Sequence, residues 1–202
     1  VLYSRSSTPA SPVSLDLRPS RRYYRPVASV EKLAANIKLR GRVATAEPMR
    51  EHTSFRLGGP ADLFLAPLDA EDLAAALASV RNTGMPAFLL GGGTNLLVAD
   101  RGIRGAVIDL TGIRGLAAGD GTVAALCGTP VDDVACYARE RGLSGLEFAA
   151  SLPGTVGGAV WMNARCYEHE VADVLESVES LDAGLAARRR SVDPAAWGYK
   201  RS

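Results

Sequence analysis

The sequence predicts a mixed α and β fold in two lobes, and three observations carry that expectation. Leu73, Leu77 and Val80 recur at helical spacing on an alanine-rich body, with short apolar strand-like runs before and after them. Two further β-compatible runs, residues 106–110 and 122–126, are followed by a second helical segment. The composition, 47% hydrophobic and 22% charged over 202 residues, suits a globular chain with room for one large domain or two small ones.

Taken in order, residues 30–39 set Leu33 and Ile37 among alanines as a short amphipathic helix that Gly41 stops. Residues 62–66 alternate into a short strand, and Pro67 breaks it. Asp69 suits the N-cap of the helix through Leu73, Leu77 and Val80, which ends at Gly84 and Pro86. Residues 87–90 form the next strand and run into Gly91, Gly92 and Gly93, after which residues 96–98 read as strand again. A dinucleotide-binding Rossmann unit places its glycines after the first strand and at the head of the helix, so that assignment is rejected. In the second half, Gly112, Gly119 and Gly121 mark turns between strands. Thr129 and Pro130 open a helix as a capping hydroxyl followed by proline, with Asp132 and Asp133 at its positive end. Arg139 and Arg141 suit its negative end, and Gly142 closes it. Residues 171–181 and 188–192 form a late hairpin across residues 182–184.

Charge and cysteine content exclude several function classes. A formal net charge of +1 gives no reason to invoke nucleic acid or a membrane surface, and the arginine runs at 21–25 and 188–190 read as solvated. No apolar run approaches membrane-spanning length. Cys127, Cys136 and Cys166 show no paired spacing, which points to a reducing compartment rather than a disulfide framework. His52 and His169 read as ordinary satisfied histidines, and no His, Cys or Asp group has metal-ligand spacing. Residues 1–29, rich in Ser, Pro and Arg and without a hydrophobic core segment, are expected to be a disordered leader.

The chemistry concentrates in residues 88–100, Phe-Leu-Leu-Gly-Gly-Gly-Thr-Asn-Leu-Leu-Val-Ala-Asp. Glycines let a ligand touch the main chain, and consecutive free N–H groups form a concave nest that suits a diphosphate without any lysine. A tight turn between strands is the plain alternative for such a run in isolation. Two other glycine-bearing segments flank it: Glu-His-Thr-Ser-Phe-Arg-Leu-Gly-Gly-Pro-Ala-Asp over residues 51–62, and Gly-Leu-Glu-Phe-Ala-Ala-Ser-Leu-Pro-Gly-Thr-Val-Gly-Gly-Ala over residues 145–159.

In this order the three segments resemble the flavin domain of the UDP-N-acetylenolpyruvoylglucosamine reductases, and the likeness runs through Trp161, Met162, Asn163 and Ala164 to the last residues. The resemblance implies an α+β fold, an FAD-binding PCMH-type domain made of two α+β subdomains, expected at residues 30–105 and 106–202. The family's C-terminal substrate domain is expected to be absent. It further implies FAD as cofactor and NADPH as reductant, and the cytoplasm as the setting. The implied substrate is UDP-N-acetylglucosamine enolpyruvate, reduced to UDP-N-acetylmuramate for peptidoglycan synthesis. Cofactor contacts implied by similarity are Gly91, Gly92, Gly93, Thr94, Asn95 and Leu96 around the pyrophosphate, with Ser151, Gly154, Thr155, Gly157, Gly158 and Asn163 near the flavin. Arg56 is left outside this set.

Two departures from the family pattern matter. The family's Asn-Ala-Gly-Ala-Tyr is here Asn163, Ala164, Arg165, Cys166 and Tyr167, a bulkier version. The family's Gly-Tyr-Arg-x-Ser is here Gly198, Tyr199, Lys200, Arg201 and Ser202, so Tyr199 and Lys200 are the catalytic candidates. Lysine keeps the charge but loses the planar fork that grips a carboxylate, and Arg201 next door is the other candidate for that role. The family's proton-donating serine and assisting glutamate lie beyond the matching region. Two alternatives therefore stand beside a reductase: a non-catalytic flavin-binding module, and another PCMH-type FAD oxidase or dehydrogenase. The sequence does not set an oligomeric state.

Overall fold

The computed structural model describes residues 30–198, residue 202 and the backbone of residues 2–3. The expected leader lies outside them except for Leu2–Tyr3, whose backbone forms a two-residue strand, β1. Helix α1 (Val30–Asn36) is shorter than the spacing predicts, and Ile37 just beyond it is the residue that enters the core. Strand β2 (Arg42–Pro48) follows. Sequence reading missed it, because Ala44 and Ala46 blur the alternation that would reveal a strand.

Next come β3 (Pro60–Ala66), α2 (Ala70–Arg81), β4 (Ala87–Leu90) and β5 (Ile103–Asp109). The Asp69 carboxylate caps α2 as expected, accepting from the Asp72 N–H at 3.0 Å. These strands form one sheet in the order β2-β3-β5-β4, antiparallel between β2 and β3 and parallel elsewhere. Strand β5 thus slots between the two strands of the strand–helix–strand unit. The boundary expected between residues 105 and 106 falls inside it.

Parallel neighbours need a crossover, so the chain must travel back from the end of β4 to the start of β5. Residues 91–102 make that return without a helix. This corrects the strand expected at residues 96–98: Val98 is buried, but the segment has no ladder partner and runs as irregular chain past Gly58 and Gly59. The Gly59 N–H, for example, donates to the Ala99 carbonyl at 3.0 Å.

Alternation across the sheet separates two faces. Leu63, Leu65, Ala106 and Ile108 point toward Leu73, Ala76 and Val80 of α2, together with Ile37. Each large aliphatic side chain buried there contributes roughly 1.5–3 kcal/mol. Phe64, Val107 and Leu90 point the other way, onto Met49 and Val98. This second face is covered by loops, and the candidate site is built on it.

The second half opens with the hairpin of β6 (Leu116–Gly119) and β7 (Thr122–Ala125). Its two turn residues, Asp120 and Gly121, have φ of 50° and 76°, the left-handed pair that a two-residue hairpin turn prefers. Helix α3 (Val131–Arg139) begins where predicted, but Thr129 does not cap it. Its hydroxyl is instead engaged with both the N–H and the carbonyl of Gly115, each at 3.1 Å. Then follow α4 (Val156–Met162), β8 (Arg165–Cys166), β9 (His169–Glu170), β10 (Ser177–Leu181) and β11 (Ala187–Ser191). The late hairpin is present as β10 and β11, while residues 171–173 form a 3-10 turn instead of its start. Strand β1 pairs parallel to the other edge of β10. Among the described residues, no helix is long and apolar enough to cross a membrane.

Candidate functional site

The three glycine segments, far apart in sequence, meet on the loop side of the four-stranded sheet. The Ser54 N–H donates to the Gly93 carbonyl at 3.1 Å, which fastens the first segment to the second. Gly93 has φ of 62°, and a Cβ there would stand 2.0 Å from the His52 carbonyl oxygen. Only glycine fits that position. The second segment is equally close to the third: a Cβ on Gly91 would lie 2.5 Å from Thr155 Oγ1, and one on Gly92 3.0 Å from Gly154 Cα. A Cβ on Gly154 would in turn stand 3.0 Å from Thr94 Oγ1.

This loop carries unanswered donors. Among the described residues, the backbone N–H groups of Gly91, Gly92, Gly93, Thr94, Asn95 and Leu96 make no hydrogen bond to protein. A run of oriented amides at the carboxyl end of a parallel strand creates positive potential without a cationic side chain. Phe55, Leu57 and Leu97, large apolar side chains on the converging segments, are exposed.

The third segment is clamped from below. Val156 and Gly157 donate to the carbonyls of Thr129 and Cys127 at 2.9 and 2.8 Å, and the Gly154 carbonyl accepts from Val131 at 3.1 Å. The Ser151 N–H donates to the Asp132 carboxylate at 2.7 Å, holding Ser151 at a φ of 62°. The first amides of α4 are therefore satisfied by protein, so this segment offers side chains and close approach rather than an anion nest. Its notable group is Thr155, 5% exposed, whose hydroxyl has no hydrogen-bond partner. A buried unsatisfied hydroxyl is costly, and this one faces Gly91. An orphaned polar atom beside a glycine cradle with free amides fits a bound group bearing both phosphate and further polar atoms.

Not every expected contact joins this gap. A Cβ on Gly157 would meet Cys127 Cβ at 2.9 Å, so its smallness serves packing. Asn163 is 2% exposed in the left-handed conformation that ends α4. Its Oδ1 accepts from the Ala172 N–H at 3.0 Å and its Nδ2 donates to the Gly198 carbonyl at 3.4 Å, so the amide is occupied by protein. The bulkier Arg165–Cys166 sequence is absorbed by the tight hairpin of β8 and β9, with Tyr167 and Glu168 both left-handed and Tyr167 exposed. Tyr199 and Lys200 lie outside the described residues, between Gly198, held by Asn163, and Ser202, whose hydroxyl donates to the Trp161 carbonyl at 3.3 Å.

Comparison with known proteins gives an independent measure of this arrangement. Residues 61–184 match the family model described as FAD binding domain. A UDP-N-acetylenolpyruvoylglucosamine reductase of Caldanaerobacter subterraneus subsp. tengcongensis is 42% identical over 153 residues, 76% of this chain and 50% of that protein. The protein of the same name from Pelobacter propionicus is 42% identical over 167 residues, 82% of this chain and 56% of that one. The chain thus spans about half the length of the curated relatives it matches. Among solved structures, UDP-N-acetylenolpyruvylglucosamine reductase from Thermus caldophilus superposes with a TM-score of 0.63 at 31% identity, covering 81% of this chain and 57% of that one. BBE-like 1 of Physcomitrella patens, at 17% identity and a TM-score of 0.56, shares the fold over 80% of this chain and 37% of its own.

Proposed function

This chain belongs to the FAD binding domain family, and from that premise we propose that it is the flavin-holding portion of a UDP-N-acetylenolpyruvoylglucosamine reductase of peptidoglycan precursor synthesis. The observation that carries the reading is the meeting of three glycine segments around six free amides and one orphaned hydroxyl. The amides of residues 91–96 hold the diphosphate of FAD, and Gly91 and Gly92 let the third segment close against it. Thr155 supplies the side-chain hydrogen bond, with Ser151, Gly154 and Gly158 forming the neighbouring wall. Gly157 serves by packing and Asn163 by tying the end of α4 to Gly198, both at one remove from the cofactor.

Bound FAD supplies a two-electron carrier between NADPH and the enolpyruvyl group of the UDP-sugar substrate. Around it the chain's own residues orient the cofactor and exclude water, while the family resemblance assigns Tyr199 and Lys200 to the substrate carboxylate, in the cytoplasm. Lys200 binds that carboxylate as a point charge, with less directional grip than arginine. The two subdomains divide near the end of β5, where the four-stranded sheet is complete.

Two experiments test this reading. The first extracts the cofactor from the purified chain, then follows NADPH consumption with and without the enolpyruvyl sugar nucleotide, for these 202 residues and for a chain extended to the relatives' length. FAD in both, with substrate-dependent consumption in the longer chain, is the expected result; dioxygen reacting faster than NADPH with the reduced and oxidised forms respectively would instead indicate an oxidase. The second replaces Thr155 with valine. Losing one hydrogen bond to the cofactor should weaken FAD binding about fivefold, while the flavin-free chain becomes no less stable because an unsatisfied hydroxyl is gone. Unchanged FAD affinity in a fluorescence titration would remove Thr155 from the site.

A further inference from the structure

Beneath the glycine loop lies a polar cluster that the proposed chemistry does not use. It occupies the loop-side face of the sheet, where Phe64 points. His52 stacks on that ring with centroids 4.4 Å apart, and the Arg42 guanidinium lies over it at 5.5 Å. Arg42 donates to both oxygens of Glu47, at 2.7 and 2.6 Å. Residues five apart in a regular strand point to opposite faces, so this pair cannot form on an undistorted β2. Ala46, with φ of 52°, breaks the alternation and turns Glu47 back onto the face that holds Arg42.

His52 completes the cluster. Its Nε2 lies 2.8 Å from Glu47 Oε1, and because a carboxylate only accepts, that nitrogen carries the proton. Its Nδ1 lies 3.7 Å from Asp109 Oδ2 at the end of β5, whose other oxygen accepts from the Thr111 N–H at 2.8 Å. Glu47 and Asp109 are each only 8% exposed. The bonded Arg42 guanidinium holds the Glu47 carboxyl below the usual carboxylate range against the opposing effect of burial, and the His52 bond adds to it. The imidazole therefore lies between two buried carboxylates and is hydrogen-bonded to one of them, Glu47.

The same residue reaches the loop through its backbone. Its carbonyl lies against Gly93 Cα, so closely that no Cβ fits between them, and two residues later the Ser54 N–H donates to the Gly93 carbonyl. We infer that His52 is a positioning residue for the glycine loop: its ring, anchored on the sheet between Glu47, Asp109 and Phe64, fixes the His52 to Ser54 backbone against Gly93 and so sets the amides that hold the diphosphate. The inference rests on the FAD reading above for its consequence, but not for the coupling itself. Without the ring, two buried carboxylates face each other across a void, and the segment that braces Gly93 loses its anchor.

The test uses the whole chain with His52→Ala and His52→Gln. Glutamine places an amide nitrogen near the position of Nε2 and can restore the Glu47 bond. FAD affinity is measured by flavin fluorescence, and amide hydrogen exchange is followed at Ser54 and, as a core reference, at Val80 in α2. His52→Ala should weaken FAD binding about tenfold, as expected for a residue coupled to a site through its neighbours, with faster exchange at Ser54 and unchanged protection at Val80. His52→Gln should recover most of both. Unchanged Ser54 exchange in His52→Ala, or loss of Val80 protection in step with Ser54 in both variants, would overturn the inference. If the unaltered chain binds no FAD, the cofactor reading fails while the exchange contrast, read without flavin, still decides the coupling.

Discussion

Replacing Gly93 with valine is expected to strip flavin from the purified chain. The residue has φ of 62°, where an L side chain costs about 1–2 kcal/mol. Sterics add more, because the new Cβ would stand 2.0 Å from the His52 oxygen and 3.0 Å from its carbonyl carbon. Both atoms are backbone, so no rotamer change relieves the contact. Either the His52 segment moves out, breaking the bond from Ser54, or the glycine loop moves and misaligns its amides. Gly92→Val should weaken binding for a related reason, since its Cβ would stand 3.0 Å from Gly154 Cα across the narrowest part of the gap. Gly119→Val is the control: it lies on the exposed strand β6, its Cβ would meet no atom within 4 Å, and valine favours a strand. Visible flavin absorbance after desalting reads all three. Full retention by Gly93→Val would show that this loop does not hold the cofactor.

Asp72→Ala should cost the chain a large part of its stability with no direct contact to the site. Asp72 is 4% exposed, and its oxygens accept from the backbone N–H groups of Arg40 at 2.9 Å and of Gly41 and Leu68 at 3.0 Å. One carboxylate therefore ties the chain ahead of β2 and the end of β3 to the first turn of α2. Alanine leaves three amides without an acceptor, a loss of about 3–5 kcal/mol after partial resolvation. Asparagine, keeping one oxygen, should recover part of it. Burial pushes the Asp72 carboxyl up, but the three N–H groups and the Arg40 charge together hold it below the usual carboxylate range. A group with its folded pKa depressed stabilises fully above the unfolded value of about 4 and loses that contribution as pH falls through the folded one. The gap between the unaltered chain and Asp72→Asn in urea unfolding should thus be constant near neutrality and narrow below about pH 4. A gap independent of pH would mean that the charge on Asp72 contributes nothing.

Much of the framework was legible because its causes are local. Asp69 as a cap, the helical spacing of Leu73, Leu77 and Val80, the strand before Gly91 and the hairpin across residues 182–184 each depend on a few neighbouring residues. The ordered glycine segments also carried the family resemblance that implied the cofactor, and the free backbone that a diphosphate needs is consistent with glycine at those positions. Other features depended on partners that no local pattern names. Strand β5 lies between β3 and β4, so residues 96–98 became a return path instead of a strand. Thr129 found Gly115 rather than the helix it precedes, and Asn163 found Ala172 and Gly198. A single left-handed alanine decided that Arg42 meets Glu47 and left His52 among carboxylates. Sequence by itself determined which segments turn, cap and present bare backbone. Only the tertiary structure decided which polar groups answer one another, because burial forces each to find a partner and the nearest in space is seldom the nearest along the chain.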